Sequence, residues 1–147
     1  MKFSCSVDIN ASIDRVGEVY DSVDNLKHWQ DGFISHKHLS GIPNKEGAKS
    51  ELIYKIGKRD MILTETILKN DLPHTYNGLY EFKEGANTMF NRFEQIDEIR
   101  TRWTADVEYT KVHSFMMKIM TKIFPGMFKK QTQKWMDQFK ALVESEL

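Results

Sequence analysis

Glu65 is the acidic residue whose setting is chemically suggestive. In the run from Arg59 to Lys69 it shares one face with Met61, Leu63 and Ile67. If that face turns inward, an unpartnered carboxylate there is costly, and its pKa rises instead. Asn91 stands in a similar position, on the same face as Met89 and Phe93. A proton-holding Glu beside an Asn and a Tyr can orient a ligand carbonyl. It can also move a proton in an aldol-type cyclisation or a dehydration. The alternative is an outward Glu65, or one paired with a lysine or arginine at a sheet edge. Alternation assigns these faces, and one bulge would reverse them.

Other residues capable of chemistry lack a complete set. His36 and His38 are spaced as metal sites use, but no carboxylate or Cys completes the ligand set, so a solvated strand face is expected and no metal. Cys5 has no nucleophile context. No Gly-rich phosphate loop and no Ser-His-Asp pattern occurs, and no cofactor is expected.

The elements that must position Glu65 and Asn91 are mostly strands. Phe3, Cys5, Val7 and Ile9 alternate with polar residues, predicting a first strand. Ile13, Val16, Val19 and Tyr20 predict a helix over about 13–22, with Ser12 offering a cap, and 24–29 a second short helix. Six strand-like runs follow, at 33–41, 48–56, 59–69, 75–82, 88–96 and 99–110, joined by short polar turns. They describe an antiparallel meander with one dry face. The stretch from Lys111 to Leu147 is the longest run compatible with helix. It breaks at 124–126, because Pro125 cannot continue a helix and disfavours the α region at Phe124. One stripe, Met116, Met120, Ile123 and Met127, and another, Phe128, Trp135, Phe139 and Leu142, are both expected to face the sheet.

This order, β-α-α-β6-α, predicts an α+β fold in which a curved antiparallel sheet wraps a long C-terminal helix. It resembles the helix-grip arrangement of the START/Bet v 1-like (SRPBCC) superfamily, over the whole chain. The opening Ile9…Ile13…Val16…Tyr20-Asp21…Trp29 is similar to that family's first strand, first helix and tryptophan. Leu39-Ser40-Gly41…Gly47-Ala48-Lys49 resembles its first hairpin. Glu65-Thr66-Ile67 before Leu72-Pro73, Asn91-Arg92-Phe93, and Pro125-Gly126-Met127-Phe128 through Gln131 to Phe139-Lys140 complete the pattern. Within the superfamily the resemblance is to the polyketide cyclase/dehydrase-like branch. It implies a cavity between sheet and helix, and a carrier, an enzyme or a protein-binding module as its use.

Tyr54, Tyr76, Tyr80, Phe93 and Trp103 from strands, with Met120, Phe128 and Trp135 from the last segment, are the expected wall of that cavity, and Glu65 and Asn91 its polar groups. Aromatics and adaptable methionines suit a small hydrophobic ligand, lipid-like or aromatic and polyketide-like. The same residues also make an ordinary core. A cyclase or dehydratase using the same cavity is the alternative function.

Composition narrows the classes. A chain of 147 residues is expected to be one domain, 1–147. Lys plus Arg equal Asp plus Glu at 21 each, and with no aromatic-basic strand motif nucleic acid is not expected. Cys5 is the only cysteine, which fits a reducing cytoplasm. From Lys111 to Met136 there are six lysines and no acid, interleaved with Phe, Met and Ile. That basic amphipathic segment is compatible with peripheral membrane contact through 113–134, or with a core helix that has a solvated back.

Overall fold

The computed structural model describes residues 1–145. Strand β1 (Lys2–Ile9) leads into helix α1 (Ile13–Asp21), a 3₁₀ turn (Val23–Asn25) and helix α2 (Leu26–Trp29). Ser12 caps α1, its Oγ accepting from the Arg15 N–H at 3.3 Å. Six strands follow: β2 (Phe33–Ser40), β3 (Lys49–Ile56), β4 (Arg59–Asp71), β5 (Thr75–Phe82), β6 (Gly85–Gln95) and β7 (Thr101–Val112). The chain ends in α3 (Phe115–Ile123) and α4 (Pro125–Ser145). The helix break lies at Phe124, whose φ of −124° and ψ of 51° leave the α region, as a residue before proline should.

All seven strands form one antiparallel sheet in the order β1-β7-β6-β5-β4-β3-β2. Register shifts interrupt β2–β3, β4–β5 and β6–β7, and such bulges bend a sheet. The concave side receives α4. Among the described residues, no helix is long and apolar enough to cross a membrane.

The solid core occupies only part of that concave side. Cys5, Val7 and Ile9 of β1, Val16 and Val19 of α1, Trp29, Phe93, Trp103, Met136, Phe139 and Val143 form it. The Phe139 ring lies 5.0 Å from Trp103 and 5.2 Å from Trp29, both edge-on, the geometry aromatic quadrupoles favour. Helix α4 therefore anchors on β1 and α2.

The α4 stripe faces the sheet as expected, with Phe139 on Trp103, Trp135 on Tyr54 and Phe128 on Tyr109; Met136 and Val143, outside the predicted stripe, are buried with Phe139. One expectation for the C-terminal segment is corrected. The stripe expected ahead of the break does not face the sheet. Met116 and Ile123 are exposed, because α3 packs beside α4 rather than under the strands. Strand β6 also starts at Gly85, three residues before the predicted run, since Gly85 closes directly on the Lys111 carbonyl where a Cβ would stand 2.1 Å away.

Candidate functional site

Where the core stops, a cavity of about 1150 Å³ begins, bounded by α4 and by the inward faces of β3, β4 and β5. Pockets that hold small molecules run to about 300–1,000 Å³, so this one has room for a sizeable ligand. Its walls are mainly apolar. Leu52 and Tyr54 come from β3, Met61 and Leu63 from β4, Met89 from β6 and Val107 from β7. Tyr20, Leu26 and Trp29 close it from the α1–α2 side.

The alternation on β4 does turn Glu65 inward. Register places it directly opposite Tyr80 across β4–β5. The Tyr80 hydroxyl donates to Glu65 Oε2 at 2.9 Å, and the Tyr76 hydroxyl donates to Oε1 at 3.2 Å. Tyr76 and Tyr80 are on the same face of β5 with Gly78 between them. A Cβ on Gly78 would meet the Tyr80 ring and hydroxyl at 2.7–2.8 Å, so glycine is what lets that ring fold across the strand. Glu65 is half-buried, its exposed part on the cavity wall.

Burial pushes the Glu65 carboxyl above its ordinary value, opposed by the two tyrosine hydrogen bonds and by nearby His36. The Tyr20, Tyr54, Tyr76 and Tyr80 hydroxyls are pushed up too, by burial first and then by the charge of Glu65. Burial alone takes Tyr109 up to about 12. The tyrosines thus stay neutral donors across the ordinary pH range. Glu65, carrying its proton, can donate to a ligand carbonyl or hydroxyl; ionised, it can accept from one.

Of the residues expected on the wall, Tyr54, Glu65, Tyr76, Tyr80, Trp103, Phe128 and Trp135 line the cavity. Tyr54 stacks on Trp135 with ring centroids 5.5 Å apart, and its hydroxyl donates to Gln30 Oε1 at 2.6 Å. Phe128 sits edge-on to Tyr109 at 5.1 Å. Three others stand elsewhere. Phe93 is buried in the core, stacked on Trp103 at 5.6 Å. Met120 is half-buried off the wall, and Met117, three residues earlier, is the α3 methionine that reaches it. Asn91 lies behind the wall, 1 % exposed. Its Oδ1 accepts from Trp103 Nε1 at 2.9 Å, and its Nδ2 donates to the Tyr76 carbonyl at 3.0 Å and the Tyr20 hydroxyl at 3.3 Å. With these partners Asn91 braces the tyrosines rather than meeting a ligand.

His36 and His38 share one face of edge strand β2, opposite Leu52 and Ser50 of β3; His38 is exposed as expected, His36 is half-buried, and both border the cavity. Among the described residues, no group of three or more His, Cys, Asp or Glu side chains is placed to hold a metal ion. Tyr20 and Gln30 also reach the wall, although helical spacing marked Tyr20 only as packing. Cys5 is buried, and desolvation raises its thiol pKa, which leaves it unreactive.

No protein-family model and no curated protein sequence matches the chain. Solved structures do. A protein from Thermus thermophilus is similar with a TM-score of 0.80 at 12 % identity, over 99 % of each chain. Zhui aromatase/cyclase from a Streptomyces species is similar at 0.80 and 10 % identity, over 98 % of this chain and 93 % of that one. Ginseng major latex-like protein 151 from Panax ginseng is similar at 0.70 and 14 % identity, over 96 % and 95 %. The chain has the helix-grip α+β fold of START/Bet v 1-like (SRPBCC) proteins.

Proposed function

We propose that this protein binds a small, largely apolar molecule, lipid-like or aromatic and polyketide-like, in the cavity between sheet and α4. The observation that carries this is the cavity itself: about 1150 Å³, walled mainly by apolar and aromatic side chains, with Glu65, Tyr76 and Tyr80 hydrogen-bonded together on that wall. Ligand affinity comes from apolar surface removed from water, and the Glu65–Tyr76–Tyr80 group fixes the polar end. The names of two structural neighbours, an aromatase/cyclase and a major latex-like protein, suit such a cavity.

The test is native mass spectrometry of the purified protein, with extraction of anything bound, followed by titration with a fatty acid and with a polycyclic aromatic. Quenching of tryptophan fluorescence from Trp103 and Trp135 reports occupancy. The expected result is one-to-one binding that Leu63→Trp, which fills the cavity from β4, abolishes without loss of fold. Failure of both probes to bind, or binding unchanged in Leu63→Trp, rejects the cavity as the site.

The convergence of Glu65, Tyr76 and Tyr80 favours a second reading, an enzyme of the cyclase or dehydratase kind. Glu65 would exchange a proton with the substrate while the tyrosine hydroxyls hold the carboxyl. The two readings part at Glu65→Gln. A carrier keeps affinity within a few-fold, whereas an enzyme loses turnover of a linear poly-β-ketone substrate and keeps binding.

A further inference from the structure

Helix α3 presents large apolar side chains to solvent where it would be expected to hide them. Phe115, Met116, Ile123 and Phe124 are 79, 68, 63 and 60 % exposed. At 100° per residue, Phe115, Ile119, Ile123 and Met116 span one arc of about 100°, and Lys118 and Lys122 border it along one side. Phe124 and Met127 extend the surface onto the first turn of α4, beside Lys130. A contiguous apolar patch rimmed by one sign of charge marks an interaction surface.

The charge pattern selects the partner. The stretch from Lys111 to Met136 carries six lysines and no acid. Lys134 is paired with Asp31 at 2.9 Å, while Lys118, Lys122, Lys129 and Lys130 stay exposed. A second copy docking by the same face would set these lysines against their counterparts, so self-association is disfavoured. A sheet of phosphate headgroups over an acyl layer satisfies both parts at once, lysines at the headgroups and the Phe-Met-Ile arc in the acyl boundary.

We propose that α3 and the first turn of α4 form a docking surface for an anionic phospholipid bilayer. Met117, on the opposite side of α3, and Met127, at the edge of the patch, both line the cavity. Docking therefore places this part of the cavity wall beside the lipid surface. The surface stands independently of what the cavity holds.

The test is co-sedimentation of the full chain with vesicles of phosphatidylcholine alone and of phosphatidylcholine mixed with phosphatidylserine. Binding is expected to the mixed vesicles, weakening as salt rises. Lys118→Glu with Lys122→Glu should lower partitioning by ~10-fold or more. Met116→Ser with Ile123→Ser should lower it on the apolar side, and circular dichroism confirms that each variant is folded. Equal binding to both vesicle types, no binding, or no response to charge reversal overturns the proposal. So does a concentration-dependent dimer that the Met116→Ser, Ile123→Ser pair dissolves, which would give the patch to a second copy. Affinity for a cavity ligand in vesicle-free buffer should not change in either variant, so failure here is distinct from failure of the cavity to bind.

Discussion

Tyr80 and Glu65 face each other across β4 and β5 and are joined by a 2.9 Å hydrogen bond, hydroxyl to carboxylate, at the wall of a mainly apolar cavity. Burial holds the Glu65 carboxyl above its ordinary value of 4.5, so the folded protein keeps a proton that the unfolded chain releases. Stability is therefore complete with respect to this group below pH 4.5 and is lost as pH rises through the elevated folded value. Glu65→Gln should flatten that decline. Tyr80→Phe, which removes a donor to the charged form, should move it to higher pH. Urea melts from the acid side of the ordinary carboxylate range up to neutrality measure both.

Gly78 leaves the space that Tyr80 fills. Gly78→Ala places a methyl group against a ring held by a strong partner, so the ring must swing away from Glu65. The expected outcome is a fold retained with about 1–3 kcal/mol of destabilisation. Cavity-ligand affinity should fall as it does in Tyr80→Phe. Calorimetry of both variants beside the wild type checks the match.

Asn91 satisfies the Trp103 indole N–H and the Tyr76 carbonyl inside the core. Asn91→Ala strands both, at about 1–3 kcal/mol for each buried polar group left without a partner. A lowered urea midpoint with an unchanged m-value is the expected signature. Near-neutral stability would show that the two groups find other partners.

Phe139 and Phe115 make a matched pair, one 0 % and the other 79 % exposed. Phe139→Ala removes a ring packed on Tyr20, Trp29 and Trp103 and should cost about 3–5 kcal/mol. Phe115→Ala should stay within about 0.5 kcal/mol. Thermal melts of the two variants decide whether α3 lies outside the core.

What the sequence disclosed follows from how locally each feature is encoded. The inward face of Glu65 was legible because β4 alternates without interruption from Met61 to Ile67. Pro125 similarly announced the break between α3 and α4. Alternation puts His36 and His38 on one face of β2, but that this face borders the cavity depends on where the edge strand lies in the sheet, which no local pattern encodes. Asn91 was placed inward, but its partners lie on β7 and on α1, 71 residues away at Tyr20, and only tertiary packing joins them. Helix α3 misled for a different reason. Apolar composition tells how much a segment gains by leaving water, not whether this chain supplies the shelter.

Helix α4 rests on β1 and α2, and it meets β3 across the cavity through the Tyr54–Trp135 stack. The β2–β4 half of the sheet is thus one leaf of a clasp whose other leaf is already fastened. Whatever occupies the interior completes contacts that the polypeptide leaves unmade, and so acts as a rivet between the leaves. Its binding free energy is then also cohesion of the molecule, growing with occupancy by mass action. Slowed amide exchange along β3 and β4, set against little change along β1 and β7, would show that filling the protein and tightening it are one event.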